Sequence, residues 1–86
     1  MGRDRRDDLE IRVEILNAAK DRISKADIVK RTKLRYPKFF KHANYLITIE
    51  ALEETDGFYK IRDKGKEILK RYEKLMEILP YKEINL

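Results

Sequence analysis

Apolar residues recur at helical spacing through the first half of this chain, shift to a short-period pattern, and then return to helical spacing. After Asp7 they fall at Leu9, Val13, Leu16 and Ala19, with Ile11 and Ile15 alongside. This predicts a first helix from about Asp8 to Asp21 with Leu9 on its inner side. Asp7 and Asp8 suit the amino end of its dipole, and Lys20 and Arg22 suit the carboxyl end. Ser24-Lys25-Ala26-Asp27 matches a capping box, in which the hydroxyl accepts from the Asp27 amide and the carboxylate reaches back. A short second helix is expected from Lys25 to about Thr32, its apolar side made by Ala26, Ile28 and Val29. Lys33-Leu34-Arg35 forms the turn after it.

Pro37 suits the first turn of a third helix, running to about Glu50. Tyr36, Phe39, Ala43, Leu46 and Ile47 form its inner side, and Lys38, Lys41, Asn44, Tyr45 and Thr48 its outer side. Leu52-Glu53-Glu54 and Phe58-Tyr59-Lys60-Ile61 then flank Thr55-Asp56-Gly57, and Asp-Gly is a strong hairpin signal. Helical spacing resumes at Asp63 and continues until Pro80 stops it. Gly65, Ile68, Tyr72, Leu75 and Leu79 follow coiled-coil spacing, widened by Leu69 and Met76. The expected fold is mainly α with a small β-hairpin. Its divisions are a flexible basic arm (1–7), a domain (8–63), a terminal helix (64–79) and a tail (80–86).

Eighty-six residues suffice for one domain with a small core. With 42% apolar and 43% charged residues, the chain has too much hydrophobic material for disorder and too much charge for a membrane protein. No apolar run is long enough for a membrane span or an export signal, so a cytoplasmic location is expected. The lack of Cys removes disulfides and thiolate metal sites. The lack of Gln, with heavy Lys, Arg and Glu usage, suits a thermophile with surface ion pairs. His42 is the only histidine and has no second ligand beside it, so no metal site is expected. Ser24 reads as a helix cap, Asp7/Asp8 and Glu53/Glu54 are surrounded by bases, and there is no Gly-rich phosphate loop. Neither an enzyme nor a cofactor is expected.

Charge changes this picture. From Ile28 to Ile49 the chain carries Lys30, Arg31, Lys33, Arg35, Lys38 and Lys41 and no acid, whereas acids and bases alternate elsewhere. The net +5 lies entirely in the first half, where thirteen bases face eight acids; residues 51–86 hold eight of each. A solvated face is the ordinary reading of a charge run. A thermophile rich in ion pairs, however, does not ordinarily clear twenty-two residues of acids. The island therefore reads as a docking face for a polyanion, with Tyr36, His42, Asn44 and Tyr45 able to reach phosphates or base edges.

Helix, helix, helix, hairpin, helix is the order of the winged helix-turn-helix. The chain resembles the small archaeal winged-helix DNA-binding proteins, closest to the crenarchaeal "10a" chromatin-protein type. The likeness covers about residues 8–79 and is carried by Ile28, Leu34-x-Tyr36, Phe39, Leu46, Ala51-Leu52, Tyr59-x-Ile61, Lys64-Gly65-Lys66 and Leu69. Glu50 stands where the family usually has Gly before the wing, and Arg62 where it has Thr.

The resemblance implies a duplex-DNA-binding regulator or chromatin-associated, nucleoid protein, dimeric through its last helix. Lys30, Arg31, Lys33 and Arg35 are then expected on phosphates. Lys38, Lys41, Asn44 and Tyr45 are expected in the groove, with Lys60 and Arg62 supporting the wing. The wing, acidic at Glu53, Glu54 and Asp56, is expected to be short and to add at most a backbone contact. Ile68, Tyr72, Leu75, Met76 and Leu79 are the expected dimer residues, because a helix of about sixteen residues, roughly 24 Å long, outruns so small a domain. Two other classes compete: a protein-interaction module, and an RNA binder, disfavoured by the near absence of an exposed aromatic stacking platform.

Overall fold

The computed structural model describes residues 5–79. Among these run α1 (Asp8–Ala18), β1 (Ile23–Ser24), α2 (Lys25–Thr32), α3 (Tyr36–Thr48), β2 (Leu52–Thr55), β3 (Phe58–Ile61) and α4 (Asp63–Ile78). The expected tail, 80–86, and the start of the arm lie outside them.

α1 is the hub and touches α2, α3, α4 and β3. A helix with neighbours on several sides buries several faces, so Ile11, Val13, Ile15, Leu16 and Ala18 are all buried. Leu9, expected inside, is instead 48% exposed in the first turn. The helix opens with a full capping box. Asp7 accepts from the Glu10 amide (2.7 Å), and Glu10 accepts from the Asp7 amide (2.9 Å). It closes at Ala18, short of the expected Asp21, as the chain turns into the sheet and the Ala19 carbonyl accepts from the Ile61 amide (2.8 Å).

Ser24 caps α2 by accepting from the Asp27 amide at 3.1 Å. The reciprocal half of that box is seen at α1 rather than here. Two helices end on a left-handed residue that is not glycine: Lys33 after α2 (φ 58°) and Glu50 after α3 (φ 67°). In both, an amide one residue on reaches back five positions, Leu34 to Val29 (3.3 Å) and Ala51 to Leu46 (2.8 Å). That closure is why α3 stops at Thr48 rather than at Glu50. Tyr36, expected on the inner side of α3, is 47% exposed because it occupies the first position, at the edge of the buried stripe.

The hairpin forms as expected around Asp56 (φ 54°) and Gly57 (φ 80°), two successive positive φ values as in a type I′ turn. A third strand joins it. β1 pairs antiparallel with the other edge of β3, Ile23 opposite Tyr59 and Ser24 opposite Phe58, giving the order β1-β3-β2. Two residues carry no readable period, which is why β1 left no trace in the pattern. The wing is short and is tied at its turn to the start of α2, since the Gly57 carbonyl accepts from the Lys25 amide at 3.0 Å.

α4 is fixed to the domain by its first turns. The Arg62 amide donates to the Ala51 carbonyl (2.9 Å), and Gly65 lies directly over that carbonyl. A Cβ on Gly65 would sit 2.4 Å from the Ala51 oxygen and 2.7 Å from Ile61. Gly65 therefore belongs to the domain's own core and not to an intermolecular seam. Leu69 is buried, and Ile68 and Tyr72 pack partly against the core.

Candidate nucleic-acid interface

α3 turns Phe39, His42, Ala43 and Leu46 into the protein. At 100° per residue, Pro37, Lys41, Asn44 and Thr48 form the opposite, outward ridge. Lys41 and Asn44 are exposed there; the Thr48 hydroxyl is occupied by the Asn44 carbonyl (2.9 Å). Lys38 and Tyr45 lie on one flank of the ridge, where the Arg12 guanidinium of α1 stacks on the Tyr45 ring, 3.8 Å from its centre. Tyr36 and Phe40 lie on the other flank, with ring centres 5.9 Å apart and the Lys25 ammonium 5.3 Å from Phe40. α3 thus presents a basic ridge with an aromatic–cation pair on each side.

The remaining expected contacts divide. Lys30 is exposed on α2, Lys33 holds the left-handed position of the turn, and Arg35 is exposed immediately before α3. Arg31 lies toward α1, lining a groove with Glu14, Asn17 and Thr32. In the same region Arg6 donates to Glu14 and, at 2.8 Å, to the Thr32 carbonyl, so the arm's last arginine is held against the domain. Lys60 stands opposite Glu53 in the hairpin register, and Arg62 is exposed before α4. Glu53, Glu54 and Asp56 keep the wing acidic, and the Glu54 carboxylate accepts from the Gly57 amide (3.0 Å) to brace its turn. Burial, and then Glu54, pushes the Tyr59 hydroxyl's pKa up.

Three bases escaped the sequence reading: Arg12, Arg22 and Lys25. Arg22 reads as the end of the first helix, Lys25 as the start of the second, and Arg12 has no role in the sequence pattern, yet each lies over an aromatic ring, Arg22 at 3.9 Å from the centre of Phe58. His42 requires a correction. It was expected to reach phosphates or bases, but it is fully buried, because it shares the inward stripe of Phe39 and Leu46. Its Nδ1 accepts from Arg12 Nε (3.1 Å), while Nε2 stands 3.7 Å from Asp8 and has no hydrogen-bond partner. Burial first, and then the Arg12 charge, lower the His42 pKa below its ordinary 6.5. Tyr45 is 44% exposed, as its outer position predicts, and Tyr36, expected inside, adds a second exposed ring at 47%.

α4 is different in kind. Its acids and bases pair along the helix, as in Arg71–Glu67 (2.7 Å), and its far end exposes Leu75 (44%), Ile78 (73%) and Leu79 (42%). Of the expected dimer residues, Ile68, Tyr72 and Met76 are half-buried, while Leu75 and Leu79 are exposed. Ile78, the most exposed, was not anticipated. Among the described residues no acidic or histidine cluster could hold a metal ion, and no helix is long and apolar enough to cross a membrane.

Four helices, a small antiparallel sheet and an outward basic helix define a winged helix-turn-helix domain, with α2 and α3 as the helix-turn-helix and β2–β3 as the wing. The chain belongs to the winged helix-turn-helix family, which matches it over residues 5–79. It is also 30% identical over 76 residues to an uncharacterized protein of the archaeon Methanocaldococcus jannaschii. The matched segment is 87% of this chain and 36% of that protein, so the chain spans about a third of its relative's length. A fold of this kind is typically a non-enzymatic DNA-binding domain.

Proposed function

We propose that this protein binds duplex DNA as a transcriptional regulator or nucleoid-associated chromatin protein. The observation that carries the proposal is the outer surface of α3. A ridge of Lys41 and Asn44, flanked by Lys38 and Tyr45, occupies the helix that this fold sends into the major groove, within twenty-two residues free of acids. Lys30, Lys33 and Arg35 supply phosphate contacts from α2 and the turn, Arg62 a further one, and Lys60 a weaker one because Glu53 faces it. Arg31, turned to the α1 groove, contributes through its charge. Few side chains on the ridge can read bases, so affinity exceeds sequence selectivity.

In this reading the protein acts as a homodimer. Leu75, Ile78 and Leu79 of one α4 cover those of another, with Ile68, Tyr72 and Met76 beside them, and the pairing sets the spacing of two α3 helices on DNA. Sedimentation of Leu75→Lys/Ile78→Lys should give a monomer where the parent gives a dimer.

Replacing Lys38, Lys41 and Tyr45 together with alanine tests the groove assignment. Duplex affinity should fall by about a hundredfold or more, with thermal stability nearly unchanged. Undiminished duplex binding would remove α3 from the interface. A preference for single-stranded RNA over duplex would favour the Tyr36–Phe40 flank as a base-stacking surface, and salt-resistant binding to a protein would favour an interaction module.

A further inference from the structure

Four side chains join α1 to α3 in a two-by-two arrangement. Asp8 and Arg12 are one helical turn apart on α1, and His42 and Tyr45 one turn apart on α3. Arg12 touches both α3 residues at once, donating from Nε to His42 Nδ1 (3.1 Å) and stacking on the Tyr45 ring (3.8 Å). A guanidinium on an exposed ring is ordinarily free to swing. This one is oriented by a bond to a fully buried acceptor.

The bond also fixes the imidazole. Since Nδ1 accepts, the neutral ring carries its proton on Nε2, and that N–H is buried 3.7 Å from Asp8, too far to donate well. A buried donor left unmade destabilises the fold, and a leucine would fill the same apolar position without that penalty. For packing alone, histidine is therefore a poor choice at position 42. What it supplies that leucine cannot is the acceptor for Arg12.

We propose that Arg12 and His42 are positioning residues for DNA recognition, with His42 orienting the Arg12 guanidinium and Arg12 fixing the Tyr45 ring on the groove-facing helix. The inference rests on the DNA-binding reading above. Tyr45 then enters the complex already ordered, and the entropy of immobilising its ring is not lost at binding. The charge of Arg12 is secondary in this role, because lysine would keep the charge and lose the oriented planar group.

The test measures duplex affinity and thermal stability of the full chain in four single variants and one double variant. His42→Leu should be at least as stable as the parent and bind duplex about tenfold more weakly, matching Tyr45→Leu. His42→Asn, whose side-chain oxygen can replace Nδ1 as acceptor, should recover most of the loss. Arg12→Lys should bind as weakly as Tyr45→Leu, and Arg12→Lys combined with Tyr45→Leu should be no weaker than either alone. A nitrogen-15 NMR spectrum without DNA should show the Arg12 Nε–H signal sharpened against water exchange in the parent and in His42→Asn, and lost in His42→Leu.

Full affinity in a folded His42→Leu would overturn the inference, as would losses that multiply in the double variant. Should His42→Leu fail to fold, the outcome rests on Arg12→Lys and the double variant, which leave the buried histidine itself in place. Absence of duplex binding by the parent would overturn the proposed function and this inference with it. Parent binding with an unimpaired His42→Leu would overturn the inference alone.

Discussion

α3 and α4 are both amphipathic helices attached to the same core, yet their outer surfaces are opposites. α3 shows solvent a basic ridge without one acid in the surrounding twenty-two residues. α4 interleaves four acids (Asp63, Glu67, Glu73, Glu77) with five bases, compensates all but one of its charges, and leaves apolar side chains uncovered at its far end. A helix with unbalanced charge gains most from a polyanion, whereas a neutralised helix with an apolar end gains most from a second apolar surface. The contrast therefore assigns different partners to the two helices within one small domain.

Removing the attachment of α4 should have the largest effect. Gly65→Ala places a methyl 2.4 Å from a backbone carbonyl that is itself bonded to Arg62, so the helix must shift. A loss of about 3 kcal/mol in denaturant unfolding is expected. A Gly65→Ala variant as stable as the parent would show that α4 is not seated there.

The second prediction sets the two surfaces directly against each other. Lys41→Glu on the α3 ridge should weaken duplex binding by more than about tenfold. Lys70→Glu makes the same charge change on α4 and should alter affinity far less. Equal losses would reduce the interface to net charge and erase the distinction between the helices.

A smaller effect belongs to the end of α3. Glu50 holds φ 67° at a position where glycine carries no Cβ penalty. Glu50→Gly should raise stability by about 1 kcal/mol in the same unfolding measurement, offset in part by the greater freedom of glycine in the unfolded chain.

The smallest effect concerns pH. The folded-state pKa of His42 lies below its unfolded value, so the unfolded chain takes up the proton more readily. The corresponding stability is fully present above about pH 6.5 and is lost as pH falls from there toward the folded pKa. Replacing His42 with Leu should flatten the stability profile in that window; an unchanged slope would assign it to other groups.

Much of this organisation was legible in the sequence because it is local. Helical spacing, Pro37, the Ser24 cap and Asp56-Gly57 each act within a few residues, and they gave the element order and the hairpin turn. Features that depend on distant residues were not legible. β1 exists only because Ile23 meets Tyr59, Gly65 is constrained by Ala51, Ile61 and Leu16, and Arg12 finds His42 thirty positions away. For the candidate site, the outward position of Lys41 and Asn44 followed from periodicity. The burial of His42 could have been read from its i+3 spacing from Phe39, and was obscured by the bases around it. The turn of Arg31 toward α1 had no sequence signal of its own.

The central claim is that the acid-free surface of α3 is a polyanion-binding face. Fluorescence anisotropy of a labelled duplex of random sequence, titrated at several salt concentrations, tests it most directly. If about six phosphates are neutralised per domain, binding should be tight at low salt and log K should fall against log salt with a slope of roughly −5. Weak binding with a flat slope would contradict the claim and leave the ridge a solvated surface.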